Sequence, residues 1–263
     1  MLWKTEIGRF TLFGIEDGWM LREPMAFMPD SDPAVWAAHP EYLQDGKLRV
    51  SLGCFLLRGP SGIVMVDTGV GPSPGSPEIV TGRMPLSLEA IGIRPEEVDV
   101  VLHTHLHFDH FGGDADGSGG AFFPNAKIYV HTSELDYWMS VDGPAGDQIR
   151  SHFGPFVAEG RVESVDGDRE IIPGVAMSET FGHTPGHMSV EIHSGSSRAI
   201  IAGDATHHPL QASHPEWNMV ADLDRTVAAV TRRALFDGLV AGAVMLAAGH
   251  FPRPGFGSVR VDE

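Results

Sequence analysis

Short apolar runs separated by glycine and proline recur along the chain, and they predict strands more often than helices. Residues 50–57 and 63–66 are two such runs, with the turn sequence Gly-Pro-Ser-Gly between them. Residues 6–20 predict one or two further strands that end near Asp17. Other strands are predicted at residues 99–102, 127–131, 171–172, 175–180, 189–193, 199–202 and 243–246. Strands therefore dominate both halves of the chain.

Helical periodicity is confined to a few segments. Residues 222–240 have the length and the 3.6-residue period of an amphipathic helix. Shorter helices are predicted at residues 86–93, 133–140 and 145–160, with Ser133 as the N-cap of the second. Strands in both halves with helices between them predict two packed sheets with helices on the outside.

Residues 21–47 combine large apolar side chains with four prolines, which predicts a loop with short helical turns. Its apolar side chains could line a pocket, meet a second subunit or pack locally, and the sequence leaves all three open. No change in composition marks a linker, so residues 1–263 are predicted to form a single domain with this segment as an elaboration. The apolar residues are Met25, Phe27, Met28, Trp36 and Tyr42.

Charge and composition limit the classes of partner that the chain is expected to bind. The chain has 18 basic and 35 acidic residues, a net charge of -17, and such a surface repels nucleic acid and anionic membranes. No apolar run is long enough to span a membrane, and the first residues lack a signal-peptide pattern, so a cytoplasmic location is expected. The single cysteine, Cys54, excludes an intrachain disulfide and is interpreted as a buried packing residue.

The segment His-Thr-His-Leu-His-Phe-Asp-His, residues 103–110, directly follows a predicted buried strand. Histidines two residues apart on an extended segment point to the same side, as His105 and His107 would. Asp109 and His110 follow in the turn. Imidazole and carboxylate together suit zinc, and also manganese, iron or cobalt. This spacing predicts a metal site.

Three later positions complete the requirements of a two-metal site. His187 ends the segment Gly-His-Thr-Pro-Gly-His, while Asp204 and His250 each follow an apolar strand. Each is weak evidence alone, because a polar residue after a strand is usually an ordinary loop residue. Loops that carry ligands cluster at one edge of a sheet, so we expect the three side chains to meet the first motif.

These motifs resemble the metallo-β-lactamase superfamily, whose His-x-His-x-Asp-His motif matches residues 105–110. The resemblance runs from about residue 53 to residue 250, and it implies an α+β four-layer αβ/βα sandwich with metals at the sheet edges. It implies two divalent ions, most simply zinc, with manganese, iron or cobalt as alternatives. One ion would be held by His105, His107 and His187, the other by Asp109, His110 and His250, and Asp204 would bridge them.

Nearby polar residues receive other interpretations. His103 should face away from the metals and have a structural role, and His183 should stabilise its loop. Asp67 matches a position that the superfamily commonly keeps near the metals, so it is expected to orient a ligand histidine.

Within the superfamily, acyl-homoserine lactonases and organophosphate hydrolases of the methyl parathion type are most similar. Asp204 argues against β-lactam hydrolysis, because those enzymes mostly lack a bridging aspartate. Many lactonases have a tyrosine three residues after that aspartate, whereas this chain has His207 followed by His208. His207 could donate to the substrate oxygen or could only pack, and both interpretations stay open.

The predicted function is hydrolysis of a lactone or ester by a metal-bridging hydroxide, with phosphotriester hydrolysis as a side activity. Asp109 is expected to bind metal and to shuttle a proton, and His207 is the second catalytic candidate. An apolar pocket would favour a neutral, partly apolar small molecule, and a homodimer is expected. The alternatives are a mononuclear iron oxygenase of the persulfide type and a glyoxalase-II-like thioesterase. The expected pocket walls are Trp138, Phe153, Phe156 and the residues around Met25 and Met28.

Overall fold

The computed structural model describes residues 3–73 and 75–260. Its helices are α1 (Pro24–Phe27), α2 (Pro33–Ala38), α3 (Met84–Ala90), α4 (Phe108–Phe111), α5 (Thr132–Ser140), α6 (Pro144–His152), α7 (Gly154–Ala158) and α8 (Arg225–Gly242). Its strands are β1 (Trp3–Ile7), β2 (Phe10–Arg22), β3 (Leu43–Gln44), β4 (Lys47–Gly59), β5 (Gly62–Val66), β6 (Ile79–Val80), β7 (Val100–Leu102), β8 (Lys127–His131), β9 (Val162–Val165), β10 (Arg169–Ile172), β11 (Val175–Glu179), β12 (Met188–Ser194), β13 (Ser197–Ile201), β14 (Met245–Ala247) and β15 (Phe256–Ser258).

Strands β1 to β9 form the first sheet within the described residues. Its main path runs β1-β2-β4-β5-β7-β8-β9, with β3 beside β4 and β6 beside β2. The first half is antiparallel, but β5, β7, β8 and β9 are parallel, and Val66 is paired with Leu102. The loops that follow β5 and β7 therefore leave the same edge of the sheet side by side.

Strands β10 to β15 form the second sheet in sequence order. Strands β13 and β14 are parallel, with Ile201 paired to Ala247. Asp204 and His250 each lie three residues beyond these paired ends, so both are carried to one edge of this sheet.

The two sheets pack face to face, and helices cover their outer faces. The inner layer is apolar because alternate residues of each strand point into it, among them Leu57 and Val64 from the first sheet and Met177 and Val190 from the second. Helices α3, α5, α6 and α7 cover the first sheet. Helix α8 covers the second through Phe236. This arrangement confirms the predicted αβ/βα sandwich.

Residues 21–47 form α1, α2 and a short 3-10 turn at Pro40–Tyr42. Phe27, Met28 and Trp36 are buried in a separate cluster with Val50 of β4 and Trp217. The segment therefore has its own small apolar core beside the sandwich.

Several local predictions need correction. The N-cap of α5 is His131 and not Ser133, because the His131 ring accepts a hydrogen bond from the Ser133 backbone N–H. Phe153 and Phe156 lie in the core between the helices and the first sheet, so they do not wall a pocket as predicted. Cys54 is buried, as predicted. Within the described residues, no helix is both long and apolar enough to cross a membrane.

Helix α8 begins at Arg225 because the Asp224 carboxylate caps its first turn. Further along the helix, the side chain of Arg232 is fully buried. Its guanidinium donates to the carbonyls of Ala205, Pro215 and Trp217, and to the Asp222 carboxylate at 3.1 Å. Arg232 thus holds the loop after β13 against the helix.

We expect Arg232→Met to lower the free energy of unfolding by about 3–5 kcal/mol, because it leaves the Asp222 carboxylate buried without its cation. Chemical denaturation measures the loss. Arg233→Met is the matched control, since its side chain is 62% exposed, and it should cost under about 0.5 kcal/mol. Equal losses in the two variants would contradict the structural role of Arg232.

Candidate metal centre

The polar side chains singled out in the sequence meet where the parallel strands of both sheets end. The motif at residues 103–110 follows β7 and runs into α4, and the Asp67 loop follows β5 beside it. Asp204 and His250 arrive from the second sheet. The two sheets therefore contribute facing halves of one site.

The first cluster contains His105, His107, His183 and Asp204, whose ligand atoms all lie within 4.8 Å of one another. His107 Nδ1 is 3.0 Å from His105 Nε2 and 2.9 Å from His183 Nε2. Asp204 Oδ2 is 3.8 Å from His105 Nε2 and 3.3 Å from His183 Nε2. A tetrahedral zinc site with metal–nitrogen bonds of about 2.0–2.1 Å requires donor separations of about 3.3 Å. These four donors fit one cation.

The second cluster contains Asp109, His110 and His250. Asp109 Oδ2 lies 3.9 Å from His110 Nε2 and 3.6 Å from His250 Nε2. The Asp204 carboxylate reaches the same histidines, with Oδ1 3.4 Å from His110 Nε2 and Oδ2 3.3 Å from His250 Nε2. Asp204 therefore lies between the two clusters, as its predicted bridging role requires.

The structure places His183 and His187 differently from what their predicted roles suggest. His183 Nε2 lies in the first cluster, whereas both ring nitrogens of His187 are already engaged. His187 Nε2 accepts a hydrogen bond from the Asp204 backbone N–H at 2.9 Å, and its Nδ1 lies 3.1 Å from the Thr180 carbonyl. In this arrangement the His187 ring lies against the Asp204 backbone, and its role as a ligand stays a prediction.

Gly203 makes this arrangement possible. Its backbone has φ +53°, and a Cβ there would lie 2.7 Å from His187 Nε2 and 2.7 Å from Thr104 Cβ. Only glycine allows the chain to pass so close to the His187 ring. The residue before Asp204 is therefore constrained by the centre itself.

The opposite ring nitrogens of three clustered histidines are held by neighbouring oxygen atoms. His110 Nδ1 is 2.8 Å from Asp67 Oδ2, His183 Nδ1 is 2.7 Å from Asp222 Oδ1, and His250 Nδ1 is 2.8 Å from the Ser51 carbonyl. Such contacts fix the tautomer and the direction of the ring nitrogen that faces the cluster. The contact from Asp67 has the orienting geometry predicted for it, while Asp222 gave no signal in the sequence.

The remaining motif histidine, His103, is fully buried. Its Nε2 is 2.8 Å from the Asp114 carboxylate, and it is absent from the metal clusters found in the described residues. Burial lowers its pKa, but the Asp114 charge and hydrogen bonds to Asp114 and Asp67 raise it to about 9. His103 therefore ties the motif to the 3-10 turn at Gly112–Asp114.

The buried carboxylates of the centre strongly favour positive charge next to them. Burial lowers the pKa of His250, but the Asp204 and Asp109 carboxylates raise it to about 9, and they raise the pKa of His110 as well. Burial raises the pKa of Asp204, yet the charges of His250 and His110 hold it well below its usual value. In contrast, burial and the charge of a neighbouring histidine lower the pKa of His107 to about 3. Neutral imidazoles beside carboxylates are the donors that a divalent cation needs.

Buried atoms without partners support the same conclusion. Asp204 Oδ1, His110 Nε2 and His250 Nε2 have no hydrogen-bond partner among the described residues. Burying a polar atom without a partner is costly. A cation between these atoms would satisfy all three, so the residues present fit a dinuclear metal centre.

His207 and His208 follow the bridging aspartate. Gln211 Oε1 accepts hydrogen bonds from both backbone N–H groups, at 2.7 and 3.1 Å. His207 Nε2 is 3.2 Å from Asp204 Oδ2, and burial lowers the pKa of its ring. The His208 ring points away and packs on Trp36 and Tyr42, with centroids 5.0 and 4.5 Å apart. His207 alone of the pair faces the centre.

Comparison with known families decides the assignment. The Metallo-beta-lactamase superfamily model matches residues 54–250, about three quarters of the chain. This chain belongs to the metallo-β-lactamase superfamily. The family predicted from the histidine motif is therefore confirmed.

Among proteins of this superfamily, the chain is 30% identical over 176 residues to the N-acyl homoserine lactonase of Bacillus thuringiensis. It is 27% identical over 170 residues to the enzyme of the same name from Bacillus cereus. The first alignment covers 60% of this chain and 65% of the relative, so less than two thirds of the relative's length is matched.

Solved structures show the same fold. A structure described as hydrolase AbOPH in the beta lactamase superfamily has a TM-score of 0.90 and 27% identity, and the match covers 100% of this chain and 94% of that one. AidC, described as a dizinc quorum-quenching lactonase, has a TM-score of 0.86 and 22% identity over 99% of this chain and 94% of its own.

Two variants separate the ligand assignments for His183 and His187. We expect His183→Ala to remove about one divalent ion per chain, because the first cluster loses a donor, while His187→Gln should keep both ions because its amide oxygen can still accept from Asp204. Metal quantitation after dialysis measures this. Loss of an ion from His187→Gln with full retention in His183→Ala would restore the original assignment.

Proposed function

We propose that this chain is a dinuclear metal-dependent hydrolase of lactones and related esters. The observation that carries the proposal is the position of Asp204 between two clusters of buried donors. Its carboxylate lies within 4 Å of a ligand nitrogen from four histidines on three separate loops. His105, His107 and His183 would hold one ion, Asp109, His110 and His250 the other, and Asp204 both. Zinc suits this set of nitrogen and oxygen donors best.

Two divalent ions would supply Lewis-acid activation of water and of the scissile carbonyl. Asp109 is the residue suited to move the proton. Its side chain is 27% exposed, whereas that of Asp204 is 2% exposed, so Asp109 is accessible from the open side of the centre. The charges of His110 and His250 lower its pKa against the opposing effect of burial, which keeps it a carboxylate. It can therefore accept the proton of the attacking water and return it to the leaving alkoxide.

His207 is proposed to bind the carbonyl oxygen of the substrate. Burial keeps its ring neutral, so one ring nitrogen carries a hydrogen to donate. The ring is buried, and neither ring nitrogen makes a contact of hydrogen-bond geometry among the described residues, although Nε2 lies 3.2 Å from Asp204 Oδ2. A fixed donor beside the centre is suited to the negative charge that develops on the attacked oxygen.

The wall beside His207 is apolar. The ring of Phe27 lies edge-on, 6.0 Å from His207 and 6.4 Å from His250, and its backbone carbonyl accepts a hydrogen bond from Val220. Together with the net charge of -17, this wall favours a neutral substrate with an apolar acyl group over an anion. Relatives of this chain are named N-acyl homoserine lactonases, and this chain is proposed to act on acyl lactones as well.

Other expectations stay predictions. These are a single domain over residues 1–263, a homodimer, a cytoplasmic location and a phosphotriesterase side activity. Met25 of α1 and the neighbouring Val220, whose backbone N–H donates to the Phe27 carbonyl, expose apolar side chains, and a second copy is expected to bind there.

The proposed function is tested with purified protein loaded with two equivalents of Zn²⁺. We expect hydrolysis of acyl lactones and aryl esters that is lost on chelation and restored by zinc, because the site chemistry depends on the cations. A panel of lactone, ester, thioester and phosphotriester substrates measures it. Turnover of none of them, or one iron per chain with oxygen consumption, would overturn the proposal.

The role of His207 is tested separately. His207→Phe keeps the ring volume but removes the donor, so we expect kcat to fall about 10²–10³-fold with a smaller change in KM. His208→Phe is the matched control, because His208 packs away from the centre, and its kcat should stay within a few fold of the parent. A fully active His207→Phe would leave His207 as a packing residue.

A further inference from the structure

Glu134 is a fully buried carboxylate that belongs to neither metal cluster. It lies in the first turn of α5 and accepts three hydrogen bonds. Oε1 accepts from the Leu106 backbone N–H at 2.8 Å and from the Trp138 indole N–H at 2.7 Å. Oε2 accepts from the Gly186 backbone N–H at 3.0 Å.

The two backbone donors belong to the two loops that build the first cluster. Leu106 lies between His105 and His107, on the loop that follows β7 of the first sheet. Gly186 lies three residues after His183, on the loop between β11 and β12 of the second sheet. One carboxylate therefore fixes the distance between the His105–His107 pair and His183.

The packing around Glu134 allows little displacement. A Cβ at Gly186 would lie 2.3 Å from the Glu134 backbone nitrogen, so the His183 loop rests directly on α5. Trp138, held by the same carboxylate, has its ring centroid 5.4 Å from that of His107. Glu134 thus also orients the indole that supports a ligand ring.

Burying the Glu134 carboxylate in the interior costs free energy of folding. Glu134 takes part in none of the salt bridges found in the described residues, so its carboxylate is met only by neutral N–H donors and the N-terminus of α5. An uncompensated buried carboxylate normally destabilises a fold. All three of its hydrogen bonds go to groups that support the first cluster: the backbones of Leu106 and Gly186 and the indole of Trp138. This accounts for a buried carboxylate at this position.

We propose that Glu134 is a positioning residue that sets the geometry of the first cluster and leaves the second unaffected. The inference rests on the proposed two-metal function. None of its contacts is to Asp109, His110 or His250, whose partners are Asp67, Asp204 and the Ser51 carbonyl. Glu134 should therefore control the affinity of one cation of the pair.

The test is a calorimetric titration of the metal-free full chain with Zn²⁺, comparing the parent with Glu134→Gln. Glutamine offers one acceptor oxygen and turns an NH2 group toward an N–H donor, so one of the two loops is released. We expect one of the two dissociation constants to rise about 10–100-fold and the other to stay within threefold. Two unchanged constants, or two constants raised equally, would overturn the inference.

Controls separate positioning from a general loss of stability. Asp17 is a buried carboxylate that accepts backbone hydrogen bonds from Val70, Gly71 and Met84. Asp17→Asn should lower the melting temperature without a selective change in one dissociation constant. Where Glu134→Gln does not fold, Glu134→Asp tests the same point, because its shorter side chain reaches only one loop. It should weaken the same single cation.

The same titration distinguishes this inference from the proposed function. If the parent chain binds two Zn²⁺ ions and Glu134→Gln binds both with the same dissociation constants as the parent, only the role of Glu134 is overturned. A parent that binds two ions, shows the selective effect and yet hydrolyses nothing in the panel overturns only the proposed activity. A parent that binds no Zn²⁺ overturns both.

Discussion

The bridging carboxylate of Asp204 is the constraint on which the rest of the structure depends. It is buried, it remains anionic, and ligand nitrogens from three other loops converge on it. Those loops come from both sheets, so the centre exists only when the sheets are packed in register. The parallel pairing of β13 with β14 and of β5 with β7 brings the required loops to a common edge. The geometry of the centre therefore depends directly on the packing of the two sheets.

Much of this could be predicted from the chain alone. Short apolar runs bounded by glycine and proline predicted most of the strands, because buried strands have a strong local signal. The motif at residues 105–110 predicted about half of the donors of the centre for a similar reason, since these donors lie within six consecutive residues. Asp204 and His250 could also be predicted from the sequence, because they are polar residues that closely follow apolar strands.

The distinction between His183 and His187 was not accessible in the same way. Both histidines lie in one short loop, and local sequence does not tell which ring faces the metals. Distant partners set the different positions of the two rings: Asp222 accepts from His183, and the backbone of Asp204 donates to His187. Glu134 and Arg232 were missed for a related reason. Charged residues on helices are usually exposed, and their burial appears only once the loops they hold are in place.

The separate apolar cluster of residues 21–47 has a consequence for how selectivity could diverge. Phe27 reaches the centre from a unit packed on Trp36 and Trp217, outside the core that aligns the two sheets. Replacements in that unit can reshape the apolar surface beside the centre while the ligand-bearing strands stay in register. The candidate metal centre and the surface beside it are thus supported by different packing clusters, so the sequence of one can change while that of the other is preserved.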